Sequence, residues 1–228
     1  LDFNLPEKRW GQRWALLLDT ARGWVDAAPL HKAGARLEVA PRGVHWAPRA
    51  AISISQVSEA GTVFQAEEVA ALGALAKAHG LRLHMDGARF ANALVATGAT
   101  PAELTWRAGV DVLSFGATKN GAFAAEAVIA FDPALAEALA YRRKRGGHLL
   151  SKARLIAAQL EAYLAEGLWL RLARQANAQA ARLAEGIARR GGALLHPAEA
   201  NLVFLAVPDR TAEGLAADGF QFYRWPEE

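Results

Sequence analysis

Lys119 and Asp86 are the residues whose types and placement could do chemistry. Lys119 lies in Ser114-Phe115-Gly116-Ala117-Thr118-Lys119-Asn120-Gly121, directly after the apolar run Val110 to Phe115. A strand is predicted to end there, with the lysine in the small-residue loop that follows. Asp86 lies in Leu81-Arg82-Leu83-His84-Met85-Asp86-Gly87-Ala88-Arg89, at the end of a second predicted strand. The two are 33 positions apart (119 − 86). A lysine and a carboxylate on two strand ends are the pair a pyridoxal 5'-phosphate (PLP) enzyme needs. The amine forms a Schiff base with the cofactor aldehyde, and the carboxylate keeps the pyridine nitrogen protonated. A free lysine, with a pKa of about 10.4, is a poor nucleophile at neutral pH. Burial and a bound cofactor would favour the neutral or conjugated amine. Each residue alone also has an ordinary explanation: a solvated loop lysine, and an aspartate capping the turn at Gly87.

The elements that must position these residues alternate along the chain. Strands are predicted at Ala51 to Ser55, Leu81 to Met85, Val110 to Phe115 and Ala125 to Phe131. A helix is predicted from Ala66 to His79, with Val69, Leu72 and Leu75 on one face and Gly80 as its left-handed stop. Thr100-Pro101, with Glu103 near the positive end, predicts the start of another helix. Asp132-Pro133 caps a helix to about Arg145, which Gly146-Gly147 ends. Two long amphipathic helices follow, roughly Leu150 to Leu164 and Leu168 to Arg190, and Gly191-Gly192 breaks the pattern. Short strands near Leu194 and at Asn201 to Val207 flank a turn, and a short helix from Thr211 and a last strand near Phe220 to Tyr223 follow. This is an α/β pattern with a mostly parallel sheet flanked by helices. Open sheets of this kind bind ligands at the carboxyl ends of their strands, where Asp86 and Lys119 both fall.

The stretches His84 to Ala93 (HMDGARFANA) and Asp111 to Gly121 (DVLSFGATKNG) resemble the core of the low-specificity threonine aldolases. The resemblance runs from about Ile52 to about Trp225 and is weak or absent over the first 35 or so residues. It implies PLP fold type I of the aspartate-aminotransferase superfamily. A large PLP-binding domain would occupy residues 1–165, with its N-terminal part missing or divergent. A smaller C-terminal α+β domain would occupy 166–228, also incomplete. It further implies PLP as cofactor, an amino-acid substrate, and retro-aldol cleavage of a β-hydroxy-α-amino acid such as threonine to glycine and an aldehyde. Lys119 would carry the cofactor and Asp86 would hold the ring nitrogen. Arg89 would contact the cofactor and the substrate carboxylate, which a guanidinium fork suits. As a plain surface residue, Arg89 would open the next helix, where a cation is unfavourable. His84, two positions from Asp86 on the same strand face, would support Asp86 or line the pocket; a satisfied core histidine is the other reading. Thr118 and Ser114 would bind the phosphate or position Lys119, although hydroxyl residues are ordinary in loops. Gln56, Ser58, Glu59 and Thr62 would form a polar rim after the Ile52 strand, or simply a solvated turn.

The composition narrows the alternatives. Hydrophobic residues at 53% and charged residues at 21% describe a globular chain, large enough at 228 residues for one domain or one and a half. The absence of cysteine excludes disulfides and thiolate metal sites. A formal net charge of +3 does not argue for nucleic acid. No apolar run has the length of a membrane span and no signal peptide is visible, so a cytoplasmic protein is expected. The one dense basic run, Arg142-Arg143-Lys144-Arg145, complements the dipole at a helix end. It could also bind phosphate in a neighbouring subunit's site, and a homodimer or homotetramer is expected from the resemblance.

Some family features have no counterpart. Nothing in Leu1 to Ala50 resembles the glycine-hydroxyl loop that holds the cofactor phosphate, and the family's stacking histidine is not identifiable. The chain reaches Glu228 before the region of the family's second carboxylate-binding arginine. Weak PLP binding and slow turnover are therefore expected of this chain alone. Trp10, Trp14 and Trp24 carry no functional assignment. Two other readings use the same residues: a catalytically inactive fragment or interaction subunit of this fold, and another PLP-dependent lyase or an aminotransferase.

Overall fold

The centre of the structure is set by alternation. Ile52 and Ile54, Leu83 and Met85, and Leu113 and Phe115 are buried on one sheet face. Ser53 and Ser55, His84 and Asp86, and Ser114 occupy the intervening positions of the same strands, so they face the other way. Parallel strands covered on both sides usually read as continuous apolar runs. Here one face is apolar and the other carries polar side chains aligned across three strands.

The computed structural model describes residues 14–19, 26–29 and 49–224. In chain order the strands and helices are β1 (Trp14–Asp19), β2 (Asp26–Pro29), β3 (Arg49–Ser55), α1 (Ala66–Ala78), β4 (Arg82–Gly87), α2 (Phe90–Thr97), β5 (Val112–Gly116), β6 (Glu126–Ala130), α3 (Pro133–Arg145), α4 (Arg154–Leu164), α5 (Leu168–Arg189) and α6 (Asp209–Ala217). Six strands form one sheet in the order β2-β1-β3-β4-β5-β6. β3, β4 and β5 are parallel to one another, and β1, β2 and β6 join antiparallel. The α/β class holds, but the sheet is mixed, with its parallel part confined to the centre. The reason is the short link from β5 to β6: no α-helix intervenes, only a 3₁₀ turn, so the chain folds straight back. Register places Ser53 beside His84, Ser55 beside Asp86, and Asp86 beside Ser114.

α1 covers the apolar face with Val69, Leu72 and Leu75. It starts where the Gln65 amide donates to Glu68 Oε2 at 2.7 Å and stops before Gly80, at φ +66°. α3 begins as its sequence dictates: Asp132 Oδ1 accepts from the Ala134 amide at 2.9 Å, with proline in the first turn.

Two expectations fail for local reasons. Thr100 and Glu103 do form reciprocal cap bonds, the Thr100 amide reaching Glu103 Oε2 at 2.9 Å and the Glu103 amide reaching Thr100 Oγ1 at 3.3 Å. No α-helix grows from them, only turns and a 3₁₀ turn at Trp106–Ala108. The Thr105 hydroxyl bonds the Pro101 carbonyl at 2.5 Å, and Gly109 turns left-handed at φ +90° before a helix can extend. The strands expected near 194, 201–207 and 220–223 shrink to one antiparallel bridge between Leu194 and Leu205. Residues 220–223 have no strand partner, and Phe220 and Tyr223 are exposed.

The later helices are fastened onto the sheet layer. α5 packs on α2, where Asn92 Nδ2 donates to Asn177 Oδ1 at 2.9 Å and Asn177 Nδ2 donates to the Asn92 carbonyl at 3.0 Å. Glu199 Oε2 accepts from the Val63 amide at 2.8 Å. No helix among the described residues is long and apolar enough to cross a membrane. Trp10, Trp24 and residues 225–228, with most of the segment searched for a phosphate loop, lie outside the described residues.

Candidate active site

Asp86 occupies the next-to-last position of β4, at the carboxyl end of the parallel strands. Its Oδ1 accepts from the Ala88 amide at 2.9 Å, so the turn-capping reading is realised. One oxygen is thereby fixed, and the other has no partner among the described residues. The chain then turns in a space only glycine fits. A Cβ on Gly87 would meet Leu113 Cδ1 at 2.6 Å and the Ser114 carbonyl at 2.9 Å. A Cβ on Gly116 would meet Ala88 Cα and Glu126 Oε2, both at 2.8 Å. These two glycines press the end of β4 against the end of β5 and the start of β6.

Lys119 follows β5 in a single 3₁₀ turn, Thr118–Asn120, and its side chain is exposed. It forms no hydrogen bond or ion pair among the described residues, Asp86 included. Both residues stand at strand ends, as the sequence predicts, and the structure makes those strands, β4 and β5, neighbours. Thr118 ties the turn to β6: its Oγ1 accepts from the Ala125 amide at 3.1 Å, and its amide approaches Glu126 Oε1 at 3.4 Å. Its hydroxyl proton is left over for another acceptor. Ser114 is not beside Lys119; it belongs to the network around His84.

His84 bridges two serines across the polar sheet face. Its Nδ1 is 2.7 Å from Ser53 Oγ and its Nε2 is 2.9 Å from Ser114 Oγ. Both ring nitrogens are therefore occupied by hydroxyls, which can donate or accept as one neutral tautomer requires. The ring is satisfied, and it lies on the same sheet face as Asp86. Burial holds the His84 imidazole below its ordinary value, partly offset by the Asp86 charge.

That shift has a testable sign. With the folded-state pKa below the unfolded one, the unfolded chain takes up the proton first as pH falls. Stability is therefore full above about 6.5 and declines as pH drops through 6.5 toward the folded value. The urea midpoint of the wild type should fall more steeply between about pH 7 and about pH 5 than that of His84→Gln, whose amide can keep both serine contacts. His196, also held low by burial, is common to both proteins and cancels in the difference. Equal slopes would assign the acid loss to other groups.

Arg89 sits at the N-cap position of α2, half-buried. Its Nε is buried and has no hydrogen-bond partner. A buried guanidinium N–H without an acceptor is costly, and an anion in the site would relieve it. In the loop after β3, Gln56, Ser58 and Thr62 are buried and Glu59 is exposed. Gln56 is buried, its amide exchanging bonds of 2.7 and 2.9 Å with the Phe64 backbone. Ser58 Oγ and Thr62 Oγ1 are 2.8 Å apart, and the Gln56 main-chain N–H donates to the Asp86 main-chain carbonyl at 2.7 Å. This loop braces the end of β4 with polar groups spent on one another. The basic run at the end of α3 is exposed, with Arg143 Nε donating to the His148 carbonyl at 3.3 Å. A cavity of about 240 Å³ lies between the far end of α2 and α5, near Leu94, Pro101 and Arg174. It holds none of the predicted site residues.

Sequence reasoning missed Asn120. It is buried although its neighbours are exposed, and its side chain leaves the turn for α4 and α5. The only signal was an asparagine directly after the lysine.

The family model described as beta-eliminating lyase matches residues 14–210. The chain is 46% identical over 181 residues to a low-specificity L-threonine aldolase of Pseudomonas aeruginosa, covering 79% of this chain and 52% of that protein. It is 45% identical, with the same coverage, to the enzyme of that name from a Pseudomonas species. A solved threonine aldolase of Leishmania major superposes with a TM-score of 0.73 at 30% identity, over 78% of this chain and 52% of that one. The chain spans about half the length of the curated relatives it matches.

Proposed function

We propose that this chain, which belongs to the beta-eliminating lyase family, carries the lysine and the ring-binding carboxylate of a PLP-dependent enzyme that cleaves β-hydroxy-α-amino acids such as threonine to glycine and an aldehyde. The observation that carries the reading is the joining of three groups at one end of the parallel strands. Asp86 is fixed with one oxygen to spare, Lys119 stands on the adjacent strand end, and Arg89 has a buried N–H that lacks an anion. The names and identities of the relatives support the choice of reaction.

The residues present fit the cofactor. When bound, PLP supplies an electron sink for the pair released as the Cα–Cβ bond breaks. The Ala88 amide keeps the Asp86 carboxylate oriented, and its free oxygen would hold a proton on the pyridine nitrogen. His84, neutral between Ser53 and Ser114, adds no competing positive charge beside Asp86. Lys119, whose side chain is exposed, would hold the cofactor aldehyde and leave room for an incoming amine. Arg89 takes the substrate carboxylate, which pairs its buried Nε and turns the amino acid in one direction. In this reading residues 1–165 bind the cofactor and 166–228 begin the smaller domain. A kink between α4 and α5, where Glu166 has φ 51° and Gly167 φ +68°, supports that division.

Arg89→Ala tests the substrate assignment. Losing a charge-assisted pair of about 1.5–3 kcal/mol should raise KM for threonine roughly ten- to a hundred-fold. PLP fixation at Lys119 should survive. An unchanged KM, read from glycine formation, would remove Arg89 from the substrate site.

A further inference from the structure

Asn120 is buried, while Thr118 and Lys119 on its N-terminal side and Gly121 after it are exposed. A buried carboxamide is costly unless its groups are partnered. Its Nδ2 donates to Tyr163 Oη at 2.6 Å and to the Trp169 carbonyl at 2.9 Å. Both amide hydrogens thus leave the strand-end turn and fasten it to α4 and the start of α5. Tyr163 is 3% exposed. Its ring lies 6.2 Å from Phe115 and 6.3 Å from Trp169, and Phe115 stands edge-on to Phe90 and Trp169. Phe115 belongs to β5, so strand, turn and helices share one aromatic cluster. On the other side of the lysine, Thr118 is held by the Ala125 amide. Beyond it, Gly121 has φ +113°, and a Cβ there would stand 2.9 Å from Leu172 Cδ1. The main chain of Lys119 is clamped from both flanks while its side chain is left exposed.

We infer that Asn120 and Tyr163 are positioning residues for Lys119, their hydrogen bond to each other and that of Asn120 to Trp169 fixing where the lysine amine can reach. The inference rests on Lys119 being the PLP-bearing residue. The physical argument is that a long, mobile side chain can meet a reacting carbon reproducibly only if its Cα does not drift. A displacement of about 1 Å at a reacting group lowers rates by roughly a hundred-fold. The tie is polar and directional, so it fixes the turn in a way that apolar packing alone does not.

Three substitutions in the full protein separate positioning from packing. Tyr163→Phe keeps the ring and removes only the oxygen. Asn120→Ala removes both bonds. Asn177→Ala cuts the tie between α5 and α2, away from the turn, and serves as the stability control. For each, three quantities are measured: the melting temperature without PLP, the PLP concentration giving half-maximal fixation on the Lys119 peptide after borohydride reduction, and kcat and KM for threonine cleavage. Tyr163→Phe and Asn120→Ala should need more PLP for half-fixation and lose kcat, each by about ten- to a hundred-fold, at unchanged KM. Asn177→Ala should lower the melting temperature and leave fixation and kcat unaltered. The inference is overturned if the two turn variants fix PLP and turn over like the wild type. It is equally overturned if all three variants lose fixation in step with melting temperature. Should Asn120→Ala not fold, Tyr163→Phe and Asn120→Asp decide it. Asn120→Asp keeps the shape but sets an acceptor against the Trp169 carbonyl, and it should lose fixation as Asn120→Ala does. Absence of label on Lys119 in the wild type would defeat the reading of Lys119 itself. Label there with indifferent variants defeats the positioning role alone.

Discussion

Lys119→Ala will abolish covalent fixation of PLP and lower threonine cleavage by roughly 10²–10⁴-fold, the range lost when a positioned proton-transfer group is removed, with attachment lost as well. The fold should persist. Lys119 is exposed, and no described contact depends on its side chain. The turn is held instead by Thr118 and Asn120. A melting temperature equal to that of the wild type is therefore part of the expectation. Near-normal turnover in Lys119→Ala would mean that another amine does the chemistry.

Asp86→Asn is the second large effect. Asparagine keeps an oxygen for the Ala88 amide, so the cap that bends the chain at Gly87 survives. What is lost is the negative charge on the free oxygen, which in the proposed reading would hold the ring proton. Removing a preorganised electrostatic group typically lowers kcat by about 10²–10³-fold. PLP affinity should fall less, by roughly five- to ten-fold, as one charge-assisted bond becomes a neutral one about 1–1.5 kcal/mol weaker. Asp86→Ala should add a stability loss, because the Ala88 amide also loses its acceptor. The contrast between the two variants separates the electronic role from the cap. Equal kcat in Asp86→Asn and wild type would leave Asp86 as a turn cap only.

Much of this site was legible in the sequence because its elements are local. β4 and β5 each alternate apolar and polar residues and end at a glycine, so their carboxyl ends, and with them Asp86 and Lys119, could be placed from period alone. The start of α3 at Asp132-Pro133 and the stop of α1 at Gly80 are likewise written in single residues. Strand direction is not local. Alternation is the same for parallel and antiparallel pairing, so nothing in Glu126 to Ala130 distinguished a mixed sheet from a parallel one. Cap chemistry at Thr100 is present, yet it was outweighed by the Thr105–Pro101 bond and by Gly109. The partners that define the chemistry are farther away still. His84 meets serines 31 and 30 positions distant, and Asn120 meets Tyr163 43 positions on. The orphaned Nε of Arg89 depends on how tightly α2 is drawn in behind Gly87, which no residue pattern states.

Mapping the borohydride-fixed cofactor tests the central claim most directly. The protein is incubated with PLP, reduced, digested with trypsin and analysed by mass spectrometry. A pyridoxyl group on Lys119 blocks cleavage there, so the account predicts one labelled peptide running from Ala108 to Arg142. Label on Lys77, Lys144 or Lys152, with residues 108–119 recovered unmodified, would contradict it.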